Sequence, residues 1–237
     1  TLFRSERDGH SIYTSPDLKS WKYESHVTGF WECPELFELA VDGNPNNKKW
    51  VMYGATGTYM LGSFDGKTFI PESGKYFYTK GSLYAGQTYT NIPNSDGRRI
   101  QIAWGRISHP SMPFNGMMLL PTELTLHTTK EGIRLFSNPI KETKQLFTPL
   151  KKWASLTSDK ANDHLKEFRN AETLRIKTTF KLSHATSAGI DLFGQRILDY
   201  DMNANTINSV FYSPEDRNSM ELTADIYIDK TSIEVFI

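Results

Sequence analysis

Apolar and polar residues alternate in short runs along most of the 237-residue chain, and few windows keep a helical period beyond two turns. Gly, Pro, Asn and Asp separate the runs, as is typical of tight turns. Three hairpins are expected before residue 140: "TYMLGSF" and "TFIPES" around "DGK", "SLYAGQTYTNI" and "RRIQIAWGRI" around "PNSDG", and "MMLLPTELTLHT" and "GIRLFSNP" around "TKEG". The stretch "VDGNPNN" is expected to be a loop. This spacing predicts an all-β fold, as a sandwich, a barrel or propeller blades.

A charged segment divides the chain. Residues 141–172 contain many Lys, Glu and Asp, and only "DKANDHLKEFRN" has a helical pattern, so we expect an interdomain linker with a short helix. Residues 173–237 return to the two-residue period in "TLRIKTTFKL", "SAGIDLF", "TINSVFYS", "MELTADIYID" and "SIEVFI", which predicts a second all-β unit of sandwich type. The last run ends without a closing turn, so we expect a fragment of a longer protein.

Composition narrows the range of partners. Lys plus Arg and Asp plus Glu both number 27, so there is no basic excess to bind a nucleic-acid backbone. No apolar run approaches the ~18 residues that a membrane span requires. Aromatic residues make up 13% of the chain, which suits β-sheet cores and also rings that stack on a sugar.

The stretch "GFWECPELFEL" places Glu32 and the chain's only cysteine, Cys33, between Trp31 and Pro34. Two interpretations of Glu32 are open: a strand-end carboxylate that faces a cation or solvent, or an acid kept protonated by apolar neighbours, as glycosidic cleavage requires. Cys33 as a nucleophile would need a histidine base, and none of the six histidines forms a local motif with it. A small thiol packed beneath Glu32 is therefore favoured. The histidine spacings also predict no metal site.

Several segments, in order, resemble glycoside hydrolase family 32, the β-fructofuranosidases, levanases and inulinases. "WECPELFEL" resembles the family's "WECPD-LFEL" signature, and "YTSPDLKSWKYES" resembles its "SPDLKNW" turn. "WVMYG" followed by "GSFDGKTF" is similar to one of its blades, and "SLYAGQTYTNI" is similar to its "DFYAAQTF". The segment "IQIAWGRISHPSMPFNGMMLLPTELTL" and the tail "YIDKTSIEVFI" also have counterparts, so the resemblance covers nearly the whole chain.

The resemblance implies part of a five-bladed β-propeller over residues 1–140, a linker over 141–172 and an incomplete β-sandwich over 173–237. It implies retaining cleavage of β-fructosidic bonds in levan, inulin or sucrose, with Glu32 as the general acid and base and an Asp as the nucleophile. No metal or organic cofactor is implied. Family members that degrade polymers act outside the cytoplasm, so an extracellular or periplasmic location is expected.

The resemblance also carries over candidate substrate-binding positions. These are Trp31, Cys33, Tyr84, Gln87, Trp104 and Arg106. Arg106, together with His109 and Asn115, is expected on the leaving-group side of the site. Each of these residues has the alternative role of a core residue of the propeller.

The chain departs from the family pattern at two of the three acidic positions. It contains no "WMNDPNG" segment, which carries the family's nucleophile. Asp8 follows Arg7 but lies only 24 positions before Glu32, about half the family's spacing between its stabilising Asp and its acid, so Asp8 is rejected for that role. The alternative function is therefore a catalytically incomplete carbohydrate-binding or structural module, and exposed blade edges predict self-association.

Overall fold

A computed structural model describes residues 1–182, 185–208, 210–211 and 221–237. The chain divides into two compact units, Thr1–Ile140 and Lys141–Ile237. The sequence runs predicted as strands around Ser209 and before Glu221 lie partly outside the described residues, as does His184. Among the described residues, no helix is long and apolar enough to cross a membrane.

The first unit opens with a three-stranded antiparallel sheet. Its strands are β1 (Leu2–Glu6), β2 (Gly9–Thr14) and β3 (Lys22–Thr28), in that order across the sheet. Ile12 and Val27 of this sheet form a buried cluster with Phe30, Met52 and Phe69, which joins it to the strands that follow.

Ten further strands of the first unit form two antiparallel groups. Their bounds are β4 (Glu35–Val41), β5 (Asn44–Tyr53), β6 (Thr58–Phe64), β7 (Phe69–Pro71), β8 (Tyr76–Phe77), β9 (Leu83–Thr88), β10 (Arg99–Gly105), β11 (Met117–Met118), β12 (Thr122–Thr129) and β13 (Gly132–Pro139). One group follows the order β4-β5-β6-β7, with β8 also paired to β6, and the other follows the order β9-β10-β12-β13, with β11 also paired to β10. A parallel pairing of Leu126 with Val41 connects them. Two consecutive four-stranded meanders of this kind are typical of propeller blades.

The core of these two groups is an apolar cluster contributed by both. Phe37, Val51 and Tyr53 from the first group pack with Leu124 and Leu135 from the second, and all five are at most 5% exposed. Alternate residues along each strand therefore face inward, as the two-residue period of the sequence predicts.

The three predicted hairpins are present as β6–β7, β9–β10 and β12–β13. The prediction for "VDGNPNN" is wrong, because β5 begins at Asn44 and its residues pair with β4. Asp42 and Gly43 both have positive φ, at 53° and 70°, so they form a two-residue turn of the kind that joins hairpin strands directly. The polar residues after this turn are the exposed start of a strand.

The second unit contains two sheets that face each other. One has the order β14-β19-β20 and the other the order β15-β16-β17-β18. The strands are β14 (Leu174–Lys181), β15 (Ser187–Leu192), β16 (Gln195–Asp201), β17 (Thr206–Ile207), β18 (Val210–Phe211), β19 (Glu221–Ile228) and β20 (Ile233–Phe236). Leu198 and Ile207 of one sheet share a buried cluster with Leu222 and Ile226 of the other, which is the core of a β-sandwich.

Residues 141–172 lie in the second unit. They form a 3-10 helix at Lys141–Leu146, the helix α1 at Ser158–Leu165 and a 3-10 turn at Lys166–Phe168. The hydroxyl of Thr143 lies 3.4 Å from that of Tyr227, and the ring of Phe147 packs edge-on against the same tyrosine. The first part of this segment is thus attached to the second unit, and its role as a linker stays a prediction.

Candidate active site

Glu32 lies in the loop between β3 and β4, at a point where backbone hydrogen bonds join three chain segments. Its carbonyl accepts a hydrogen bond of 2.8 Å from the N–H of Ala55, whose own carbonyl accepts one of 3.0 Å from Ala85. Cys33 has a φ of 48°, in the left-handed region that costs a non-glycine residue about 1–3 kcal/mol. The two hydrogen bonds connect the backbone of Glu32 through Ala55 to β9.

A β-bulge brings candidate residues of β9 and β10 onto one face of the sheet. Tyr84 lies opposite Trp104 and Gln87 opposite Ile102, with a register shift between the two pairs. Trp104 and Ile102 are two residues apart and so share a face. Tyr84 and Gln87 are three apart, and the extra residue is accommodated at Ala85, whose φ is 50°. Tyr84, Gln87 and Trp104 therefore point to the same side.

Glu32 is held by Tyr84 on this face. The hydroxyl of Tyr84 donates a hydrogen bond to Oε2 of Glu32. The guanidinium carbon of Arg106 lies 4.1 Å from the centre of the Tyr84 ring. The Trp104 ring packs edge-on against the same tyrosine ring, with the two ring centres 6.2 Å apart. The hydrogen bond to Glu32 is the main reason that the pKa of Tyr84 is raised, because a phenolate could not donate it. A carboxylate, a phenol, an indole and a guanidinium thus form one cluster.

The structure brings together four of the seven candidate residues, Glu32, Tyr84, Trp104 and Arg106. Gln87 shares their face, and its side-chain amide donates to the carbonyl of Gly86 at 3.2 Å. Trp31 and Cys33 flank Glu32 in the chain; Trp31 is 58% exposed.

Of the two interpretations left open for Glu32, the structure shows a carboxylate that its apolar neighbours do not shield. Glu32 and Trp31 are exposed, and Cys33 and Pro34 are only half-buried, because the loop carries the segment outward between β3 and β4. Burial, followed by the negative charge of Glu32, raises the pKa of the Cys33 thiol. Cys33 is therefore held as a thiol, which disfavours a nucleophilic role.

Glu35 is a residue beside the candidate site whose contacts the sequence interpretation missed. Its carboxylate accepts hydrogen bonds from the hydroxyl of Tyr53, from the N–H of Thr88 at 2.9 Å and from the hydroxyl of Thr88. Arg99 donates to the same Thr88 hydroxyl at 3.2 Å. Glu35 thereby joins the start of β4 to the end of β9, three and four residues after Glu32 and Tyr84 in their segments. The sequence offered one signal for these contacts. Glu35 is two residues before Phe37 on β4 and so shares its inward face, where a carboxylate needs hydrogen-bond donors.

Arg106, His109 and Asn115, the residues expected on the leaving-group side, all lie in one loop, residues 106–116, between β10 and β11. His109 is buried, and its backbone N–H donates to Oδ1 of Asn115 at 3.3 Å. Gly116 closes the loop with a φ of 72°, and a Cβ there would lie 2.2 Å from Nε1 of Trp104. The loop backbone thus packs directly on the indole of the site.

No group of three or more His, Cys, Asp or Glu side chains is arranged to hold a metal ion in the part of the chain that the structure describes.

The first unit matches a known protein family. The family model for the glycosyl hydrolases family 32 N-terminal domain matches residues 3–139, more than half of the chain. The chain belongs to glycoside hydrolase family 32. Residues 3–139 include the whole Glu32, Tyr84, Trp104 and Arg106 cluster.

Individual relatives agree with this family membership. The chain is 30% identical over 276 residues to a levanase of Bacillus subtilis (strain 168), covering 95% of this chain and 40% of the levanase. It is 26% identical over 283 residues to an extracellular exo-inulinase of Aspergillus niger, covering 95% of this chain and 52% of the relative. This family 32 chain therefore spans about half the length, or less, of these relatives.

Solved structures support the fold. The crystal structure of an exo-inulinase from Aspergillus awamori matches with a TM-score of 0.72 and 23% identity, over 98% of this chain and 55% of that chain. A β-fructofuranosidase of family 32 from Bombyx mori matches with a TM-score of 0.54 and 18% identity, over 99% of this chain and 54% of that chain. The fold is all-β, part of a propeller followed by a β-sandwich, as the family resemblance implied.

Proposed function

We propose that this chain carries the acid/base part of a retaining glycoside hydrolase site that cleaves β-fructosidic bonds in levan, inulin or sucrose. One observation carries the proposal: Oε2 of Glu32, in the "WEC" segment, accepts a hydrogen bond from Tyr84 beside Trp104 and Arg106. Relatives named levanase and exo-inulinase support a fructan as the substrate class.

In this mechanism Glu32 acts twice. Its carboxylic acid protonates the leaving oxygen of the fructoside, and the resulting carboxylate then removes a proton from the attacking water. Tyr84 occupies Oε2, so the transferred proton resides on Oε1. Trp104, Gln87 and Arg106 line the face on which the fructosyl unit binds, and the exposed Trp31 extends the apolar surface beside Glu32.

An Asp nucleophile completes the reaction in this proposal. It forms the fructosyl intermediate that water then hydrolyses, and in retaining enzymes it lies ~5–5.5 Å from the acid/base carboxyl. The 237 residues contain no "WMNDPNG" segment to supply it. We therefore expect the 237-residue chain on its own to bind fructosides without turnover, which is the alternative function of an incomplete carbohydrate-binding module.

The test measures fructose released from levan, inulin and sucrose by the longest natural form of the protein that contains these residues. Glu32→Gln is expected to reduce turnover by about 10²–10⁴-fold, the usual contribution of a general acid and base. The control is Glu38→Gln, which changes an exposed carboxylate of β4 that pairs with Lys48 at 3.0 Å. Unchanged turnover in Glu32→Gln would overturn the assignment, and fructose release by the isolated 237-residue chain would overturn its proposed inactivity.

The expected site of action is outside the cytoplasm, since the related exo-inulinase is named extracellular. Separating culture medium from cells and assaying each for the protein tests this location. Sedimentation of the 237-residue chain tests self-association through strand edges, and a monomer at all concentrations would contradict it.

A further inference from the structure

Two separate connections hold the chain segment of Glu32 against strand β9. The first is the path of backbone hydrogen bonds from Glu32 through Ala55 to β9. The second is the side chain of Glu35, which accepts hydrogen bonds from the N–H of Thr88 at 2.9 Å and from the hydroxyl of the same residue. The backbone path lies next to the contact between Glu32 and Tyr84, and the Glu35 connection lies at the far end of β9.

The bulge in β9 gives the second connection a role. Strand pairing places Tyr84 opposite Trp104 on one side of the bulge and Thr88 opposite Gln101 on the other. The extra residue between these pairs disrupts the ladder of backbone hydrogen bonds, so pairing with β10 alone leaves the strand locally free to adjust. Glu35 holds β9 at Thr88 and so limits that adjustment.

Both carboxylate oxygens of Glu35 are engaged by protein donors. Oε2 accepts hydrogen bonds from the Tyr53 hydroxyl and the Thr88 N–H, and Oε1 accepts one from the Thr88 hydroxyl. Arg99 donates to that hydroxyl at 3.2 Å, and its guanidinium carbon lies 4.8 Å from the centre of the Phe37 ring. Tyr53 and Thr88 are 0% and 8% exposed, so these contacts are inside the first unit. Glu35 therefore acts on the site through the position of β9 and not by touching a substrate.

We propose that Glu35 is a positioning residue of the reaction: by holding Thr88 it keeps the hydroxyl of Tyr84 on Oε2 of Glu32, and the inference rests on the proposed function. With Oε2 occupied, the proton of the acid is directed to Oε1. Loss of Glu35 allows β9 to shift at its bulge, so the Tyr84 contact loosens and the proton is no longer confined to one oxygen. A displacement of ~1 Å is enough to lower turnover ~10²-fold.

Tyrosine ¹³C NMR of the 237-residue chain tests the positioning without turnover. In Glu35→Ala, the Tyr84 signal, assigned with Tyr84→Phe, is expected to move towards that of an exposed tyrosine. The pKa of Tyr84 is expected to fall towards its ordinary value, because the hydrogen bond to Glu32 is the main cause of its rise. The buried Tyr59 reports whether the first unit stays folded. Glu38→Ala, on the exposed side of β4, is the matched control and should leave the Tyr84 signal unchanged.

Thr88→Val is a milder second variant. It keeps the size of the side chain and removes the hydroxyl that Glu35 holds. A smaller shift of the Tyr84 signal in the same direction is expected. If Glu35→Ala displaces the Tyr59 signal and so unfolds the first unit, Thr88→Val decides the matter. An unchanged Tyr84 signal in every folded variant would overturn the proposal.

Kinetics of the longest natural form separate positioning from binding. Glu35→Ala is expected to lower kcat for sucrose about 10- to 100-fold with KM within about threefold, because a misplaced acid affects the transition state more than substrate binding. Glu35→Gln keeps a carbonyl that still accepts hydrogen bonds, so it is expected to recover most of the turnover. A raised KM at unchanged kcat in Glu35→Ala would contradict the positioning role.

Glu32→Gln distinguishes this proposal from the proposed function. If turnover depends on Glu32 while Glu35→Ala and Thr88→Val leave kcat and the Tyr84 signal unchanged, the positioning role alone fails. If both variants move the Tyr84 signal and Glu32→Gln leaves turnover unchanged, the link from Glu35 to Tyr84 stands and the acid/base assignment fails.

Discussion

Replacement of Glu35 by Ala should destabilise the first unit by a predictable amount. The change removes the acceptor of the Tyr53 hydroxyl and of the Thr88 N–H, and these residues are 0% and 8% exposed. Each buried donor left without an acceptor costs about 1–3 kcal/mol. The Thr88 hydroxyl can rotate to another partner, so we count two donors. The free energy of unfolding should fall by about 2–6 kcal/mol, and by about half of that for Glu35→Gln, which keeps a carbonyl.

Urea unfolding followed by tryptophan fluorescence measures this loss. A Trp153→Phe background confines the remaining four tryptophans to Thr1–Ile140, so the signal reports the first unit. Glu38→Ala is the matched control on β4, because its ion pair with Lys48 joins side chains that are 39% and 45% exposed. Such pairs contribute about 0–1 kcal/mol. Equal losses from Glu35→Ala and Glu38→Ala would refute the account of Glu35 as the hydrogen-bonded link between β4 and β9.

Three further predictions test other parts of the structure. Glu32→Gln should lower the pKa of Tyr84 towards its ordinary value, because the Tyr84 hydroxyl loses its negatively charged acceptor. ¹³C NMR of labelled tyrosine measures the pKa of Tyr84, and an unchanged value would contradict the contact. Burial lowers the pKa of His10 from 6.5, so the unfolded chain binds the proton more tightly than the folded chain. The free energy of unfolding should therefore fall as the pH drops below 6.5, by at most about 1.4 kcal/mol per pH unit. Urea unfolding at pH 5 and pH 8 checks this, and His10→Phe should show a weaker dependence than the unchanged chain. Gly116→Ala, at φ 72° and 2.2 Å from the Trp104 indole, should destabilise the first unit by about 1–3 kcal/mol and shift its fluorescence, whereas an unaltered spectrum would contradict the close packing.

Local sequence signals predicted most of the strands because turn residues and alternation act over a few positions. "DGK", "PNSDG" and "TKEG" each join the hairpin expected of them. The start of β5 was missed because its polar residues, Asn44 onward, are typical of loops, while the two-residue turn at Asp42 and Gly43 decides where the strand begins. A polar strand start is fixed by pairing with β4 rather than by its own composition.

The candidate site depends on contacts that no local pattern contains. Glu32 and Tyr84 are 52 residues apart, and their contact follows from the backbone hydrogen bonds through Ala55. Tyr84 and Gln87 share a face only because the bulge at Ala85 adds one residue to β9. Sequence resemblance indicated the residue types of the site, but the register and the bulge determine which of them meet. The same tertiary arrangement leaves Glu32 exposed, whereas the sequence left both a shielded and a solvent-facing carboxylate open.

The most direct test of the acid/base assignment compares leaving groups. The quantity to measure is kcat/KM of Glu32→Gln, relative to the unchanged protein in its longest natural form, for sucrose and for β-fructosyl fluoride. Fluoride departs with little need of a proton, and kcat/KM reports the first step of cleavage. If Glu32 is the general acid, kcat/KM falls about 10²–10⁴-fold for sucrose and only slightly for the fluoride. An equal fall for both substrates would contradict the role of Glu32 as the residue that protonates the leaving oxygen.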